Sequence, residues 1–99
     1  MAIEVITDFI AGATVRVIAY IYDDDGDLVN VGTSIHATII DSSASTQASA
    51  STMSEAATGV YEYYHNTGTD GALGRWRGLI STISGGKTDI DRFGFKVRA

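Results

Sequence analysis

Residues 75–97 read RWRGLISTISGGKTDIDRFGFKV, and the Gly85-Gly86 pair near the middle decides how the two halves meet. A two-residue type I′ turn at those glycines makes the numbers of paired residues sum to a constant. Ser84 then faces Lys87, Trp76 faces Phe95 and Gly78 faces Phe93. The large aromatics fall on one face, as a face turned toward a core requires. The opposite face carries Arg75, Arg77, Arg92, Lys96 and Arg98 together with Leu79, Ile83 and Ile90. Asp89 and Asp91 break the pattern. They share the parity of Phe93 and are expected near the hairpin tip.

The same period of two runs through the rest of the chain. In residues 14–22 (TVRVIAYIY), Val15, Val17, Ala19 and Ile21 share one side, and Thr14, Arg16, Ile18, Tyr20 and Tyr22 the other. Residues 23–27 (DDDGD) then turn the chain. Ser34 to Asp41 alternates again, with Ile35, Ala37 and Ile39 on the apolar side and His36 on the polar side. The opening AIEVITDF places Ile3, Val5 and Phe9 at odd positions, and Ala11-Gly12-Ala13 leads into the next strand. Residues 42–58 are rich in Ser, Thr and Ala, and we expect a strand near Thr46 to Ser51 followed by a loop. Val60 to His65 reads as a strand and Asn66 to Gly71 as a turn cluster. About seven short strands at near-regular spacing, with no long helix, predict a single all-β domain over residues 1–99, an antiparallel β-sandwich.

Three of the chain's five tyrosines crowd into residues 61–64, YEYY. On a strand Tyr61 and Tyr63 point one way, and Val60, Glu62 and Tyr64 the other. A glutamate is hard to bury without a partner, so Tyr61 and Tyr63 are expected in the core. Burying such a ring is worth about 2–3 kcal/mol. Tyr64 is left as the exposed ring. The expected core comprises Val15, Val17, Ile21, Ile35, Ile39, Tyr61, Tyr63, Trp76, Phe93 and Phe95.

Composition narrows the function. The formal net charge of −5 disfavours nonspecific binding to nucleic acid. No apolar run approaches the roughly 20 residues that span a bilayer, so no membrane partner is expected. No basic, apolar and small-residue series opens the chain, so no signal peptide is read there. Cysteine and proline are both absent, which removes disulfides and thiolate metal sites and leaves the turns to Gly, Asn and Asp. Charge is polarised along the chain: six of seven basic residues lie at or after Arg75, and ten of twelve acidic residues before it. Such polarity places opposite signs on different faces.

Several segments combine into a resemblance. Gly59, Val60, Tyr61, Tyr63 and Tyr64 form a glycine-led GVY-x-YY strand; Leu73, Gly74, Trp76 and Arg77 form LG-x-WR opening the next. With TVRVIAYIYDDDGDLV and Phe93-Gly-Phe-Lys-Val97, they resemble immunoglobulin-like domains of phage and viral structural proteins and bacterial surface proteins. The likeness runs over nearly the whole chain, through motifs that are individually short. It departs from antibody domains, lacking both cysteines and a tryptophan between them. The resemblance implies a spacer, an adhesive module or an accessory domain of a capsid or tail, with no enzyme activity and no cofactor. The chain opens on Met and ends soon after its last expected strand, like a small reading frame or a domain cut to size. We therefore expect a virion component, with a carbohydrate-binding or adhesive module of a cell surface as the alternative.

Asp23, Asp25 and Asp27 invite calcium, yet the EF-hand spacing fails, since aligning on Gly26 puts Ile21 first and Gly32 last. A solvated turn is the expected role of the cluster, with a non-EF calcium site built from the three carboxylates and backbone carbonyls as the alternative. His36 and His65 lack the further ligands zinc needs. Serines abound in residues 42–54, but no Gly-x-Ser-x-Gly elbow accompanies them. Gly85-Gly86-Lys87-Thr88 lacks the earlier glycine of a phosphate loop. No catalytic or metal residue is assigned. The expected protein contact is the outer face of the last hairpin: Arg75, Arg77, Leu79, Ile83, Ile90, Arg92 and Lys96. The partner is another protein subunit of a particle, or a second copy whose Asp23–Asp27 tip meets the basic stripe. Under the alternative, Tyr20, Tyr22 and Tyr64 would form a sugar platform.

Overall fold

The computed structural model describes residues 2–5, 8–68, 72–84 and 86–99. Every regular element among them is a strand: β1 (Ala2–Val5), β2 (Asp8–Ile10), β3 (Thr14–Tyr20), β4 (Ser34–Ile40), β5 (Thr46–Thr52), β6 (Ser54–Ala57), β7 (Val60–Asn66), β8 (Gly74–Ser84) and β9 (Lys87–Arg98). They form two sheets, ordered β1-β3-β7-β6 and β2-β9-β8-β4-β5.

The β8–β9 register is the one the glycine pair predicts. Ser84 pairs with Lys87, Gly78 with Phe93 and Trp76 with Phe95. Gly85 itself lies outside the described residues, and Gly86 sits at φ +78°. Gly78 is needed for a different reason, because a Cβ there would run into the Phe93 ring. Phe93 lies across its cross-strand neighbour and stacks 6.3 Å from Phe95.

The sheets face one another across one core. Val15, Val17, Ala19 and Tyr61 come from the four-stranded sheet, and Ile35, Ile39, Trp76, Ile80, Phe95 and Val97 from the other. Trp76 is 1% exposed, and its indole N–H donates to the Ala72 carbonyl at 2.8 Å. Tyr61 is buried too, and its hydroxyl oxygen accepts the Val31 amide at 3.1 Å. That bond fastens the 21–33 connection to the core. Gly59 holds the same region from the other side: at φ +72° its amide donates to Asn30 Oδ1, and its carbonyl accepts the Ile21 amide.

Five expectations need correction. The described residues form nine strands, not about seven. The opening segment divides, β1 pairing with β3 and β2 with β9. The stretch after Thr52 is strand β6, paired with β7, where a loop was expected. The β2–β9 pairing is parallel, so the fold is not wholly antiparallel. Finally, Ile21, Tyr63 and Phe93 pack against the core only partly buried, and Ile18, placed on the polar side of β3, is buried there. The end of the turn cluster at residues 69–71 lies outside the described residues.

Turn chemistry explains where strands stop. Asp41, buried at the β4–β5 turn, accepts the Ser43 hydroxyl at 2.8 Å, the Ser43 and Ser45 amides, and the Gln47 side-chain amide. These donors, the Ser43 hydroxyl foremost, hold its carboxyl below the usual aspartate range. Asp23 does the same for residues 23–27, accepting the Asp25 and Asp27 amides at 2.9 Å each.

Candidate functional site

All seven residues expected at the contact share one face of the β8–β9 hairpin, which is the outer face of the five-stranded sheet. Arg75 pairs with Lys96, Arg77 with Gly94, Leu79 with Arg92, Ser81 with Ile90 and Ile83 with Thr88. Ile90 is thus diagonal to both Leu79 and Ile83, within the about 7–8 Å at which side chains on one sheet face still touch. On the other flank Leu79 pairs with Thr38, Arg77 with Ile40 and Ile83 with Ser34. The neighbouring strands lie beside this face without covering it. Ile90 is 53% exposed, and Leu79 and Ile83 are half-buried.

Arg75, Arg77, Arg92 and Lys96 are exposed around these aliphatics. Among the described residues, none of the four is engaged in an ion pair. Gly94 leaves space for the Arg75 guanidinium, whose Nη2 would lie 3.1 Å from a Cβ at that position. The result is an apolar strip framed by basic groups. It suits an acidic surface with apolar relief, because Arg stacks, packs and pairs with carboxylates at once.

The outer face of the four-stranded sheet is chemically closed. Arg16 pairs with Glu62 through Nη2 at 2.7 Å and Nε at 3.1 Å, and its Cζ lies 5.9 Å from the centre of the Tyr64 ring. The Glu62 bond raises the Arg16 pKa. The Tyr64 hydroxyl donates to the same carboxylate at 3.3 Å. Tyr64 is 54% exposed, but the guanidinium occupies one side of its ring. Tyr20 and Tyr64 lie on this face four residues apart along the strands, about 13 Å at 3.3 Å per residue. Tyr22 sits beyond the sheet, in an isolated bridge with Leu28. The structure does not gather the three tyrosines into one platform.

A second concavity escaped the sequence reading. The β8–β9 hairpin projects past the four-stranded sheet, and residues 21–31 curl beneath it. They enclose a groove of about 460 Å³ with Tyr22, Asp24 and Asn30 on the loop wall and Thr82, Ser84 and Asp89 on the hairpin wall. Asp89 and Asp91 have inward parity yet stay exposed, on a stretch of β9 that no second strand flanks among the described residues. The discord in the alternation was the available signal. Among the described residues, no three His, Cys, Asp or Glu side chains converge as metal ligands would. His36 faces outward on β4, and His65 faces inward against Trp76, ring centres 6.1 Å apart.

No protein-family model and no curated protein matches the chain. Among solved structures, it is similar to part of the endo-β-1,4-mannanase from Thermotoga petrophila. The TM-score is 0.64 and the identity 18%, over 97% of this chain and 19% of the mannanase chain. At that identity the likeness speaks for the fold alone. This chain spans about a fifth of the mannanase's length.

Proposed function

We propose that this chain is a non-enzymatic immunoglobulin-like domain that binds protein through the outer face of its five-stranded sheet, as a component of a phage or viral particle. The strand order supports the immunoglobulin-like reading. A β1-β3-β7-β6 sheet facing a β9-β8-β4-β5 sheet follows the order of that sandwich, with the first strand's continuation, β2, moved across to the second sheet. The binding reading rests on one observation: an apolar strip of Leu79, Ile83 and Ile90 stays uncovered among four basic side chains that form no ion pair among the described residues. The partners are other subunits of the particle, and the location is the virion.

Particles purified by density gradient from the organism that carries this gene are expected to contain the chain in fixed proportion. Ile90→Asp and Arg92→Glu, both at exposed positions, should release it without changing its melting temperature. Particles that lack the chain, or that retain both variants, contradict the reading.

The alternative, a carbohydrate-binding or adhesive module of a bacterial surface protein, draws on the likeness to part of a mannanase and on Tyr22, 45% exposed beside the groove. It predicts glycan binding that is lost in Tyr22→Ala.

A further inference from the structure

We propose that the groove between residues 21–31 and the projecting hairpin receives the arginine-bearing stripe of a second copy of this chain, joining copies head to tail. This rests on the outer face of the five-stranded sheet being a contact surface, and it names one partner for that face.

The two ends of the molecule carry opposite charge. Residues 23–27 and 87–91 hold six aspartates and one lysine; residues 74–78 and 94–98 hold four basic residues, against Asp8, which pairs with Lys96, and Asp41, which follows the partner of Arg77. β8 runs from the second group toward the first, and β9 returns. Its 11 residues cover about 37 Å at 3.4 Å per residue, most of the 42 Å long axis. The acidic and basic groups therefore lie at opposite ends of the long axis. A net charge of −5 repels copies that meet in arbitrary orientation. An end-to-end approach brings unlike charges together, and at a Debye length of about 8 Å the facing groups decide the sign.

The groove has the chemistry to hold an arginine. Asp24 and Asp89 line it from opposite walls, and neither carboxylate accepts a hydrogen bond among the described residues, unlike that of Asp23. Lys87 also borders the groove, but no ion pair ties it to either aspartate. Tyr22 offers a half-exposed ring on the loop wall. A guanidinium between two carboxylates and against an aromatic ring makes charge-assisted hydrogen bonds and a cation–π contact together. Arg75 and Arg77 present such groups two residues apart on the outer face, with no ion-pair partners to exchange among the described residues. Because groove and stripe are different surfaces, the contact is heterologous and propagates into chains or closes as a ring.

Sedimentation velocity over a range of protein concentrations tests this. At about 0.01 M salt, where the Debye length is about 30 Å, mass should keep rising with concentration; at about 1 M salt, where it is about 3 Å, only monomer should remain. Arg75→Glu with Arg77→Glu should be monomeric at low salt, as should Asp24→Lys with Asp89→Lys. An equimolar mixture of the two should associate again. Both variants keep a net negative charge, so generic attraction does not explain the recovery. Where circular dichroism shows that either has lost its sheets, Arg77→Gln and Asp24→Asn replace them and should each weaken association.

Wild-type chain that stays monomeric at every salt concentration overturns the proposal, as does a mixture that fails to associate. So does a monomer whose melting temperature rises with calcium in the wild type but not in Asp24→Asn, which would make the groove a cation site. If the wild type is monomeric while Ile90→Asp still releases the chain from particles, the head-to-tail contact fails and the particle-binding reading stands.

Discussion

His65 ends β7 on its inner side, its imidazole 6.1 Å from the Trp76 ring. Burial holds its pKa below the ordinary value of 6.5. The sign of the linkage follows. Below about pH 6.5 the unfolded chain takes up a proton that the folded chain resists, so stability falls with pH until the folded pKa is reached. Urea midpoints measured from pH 7.5 down to pH 5 should decline, and His65→Gln should flatten that part of the curve. A wild-type midpoint that rises on acidification would contradict this placement. The inward direction of Tyr61 was legible from parity and from the cost of burying Glu62. The Arg16–Glu62 pair was not, because it depends on how β3 and β7 register across 46 residues.

The β8–β9 hairpin is the element in which sequence speaks most directly, because a two-residue turn leaves one register. Gly78 and Phe93 are the pair to test. An alanine methyl at Gly78 meets the Phe93 ring, and overpacking of this kind costs about 1–3 kcal/mol. Chemical denaturation of Gly78→Ala should show that loss, and Gly78→Ala with Phe93→Ala should cost less than the two singly combined. Strict additivity would mean that the ring does not lie over the glycine. The seven contact residues were legible for the same reason, since parity and one register put them on a common face. Strand β6 was not legible. Ser54 to Ala57 are all exposed, so their alternation carries no signal and β7 alone makes them a strand. The division of the first strand likewise follows from which sheet offers a free edge. The groove was hidden because it needs residues 21–31 to fold under the hairpin, where a Cβ at Gly32 would meet the Ser84 hydroxyl.

Across the whole molecule, the large rings belong to the core and the working chemistry to the surface. Phe9, Phe95 and Trp76 meet between the sheets with ring centres 5.5 and 5.7 Å apart in successive pairs. That leaves outer-face arginines, exposed aliphatics and an acidic end as the means of contact. Trp76 is the single tryptophan of the chain, so its fluorescence reports this arrangement without ambiguity. The most direct measurement is acrylamide quenching of that emission in the folded protein and in urea. The account predicts blue-shifted emission that acrylamide barely quenches until the chain unfolds. Emission at the wavelength of free tryptophan, quenched equally in both states, would mean that Trp76 lies open to solvent and would contradict it.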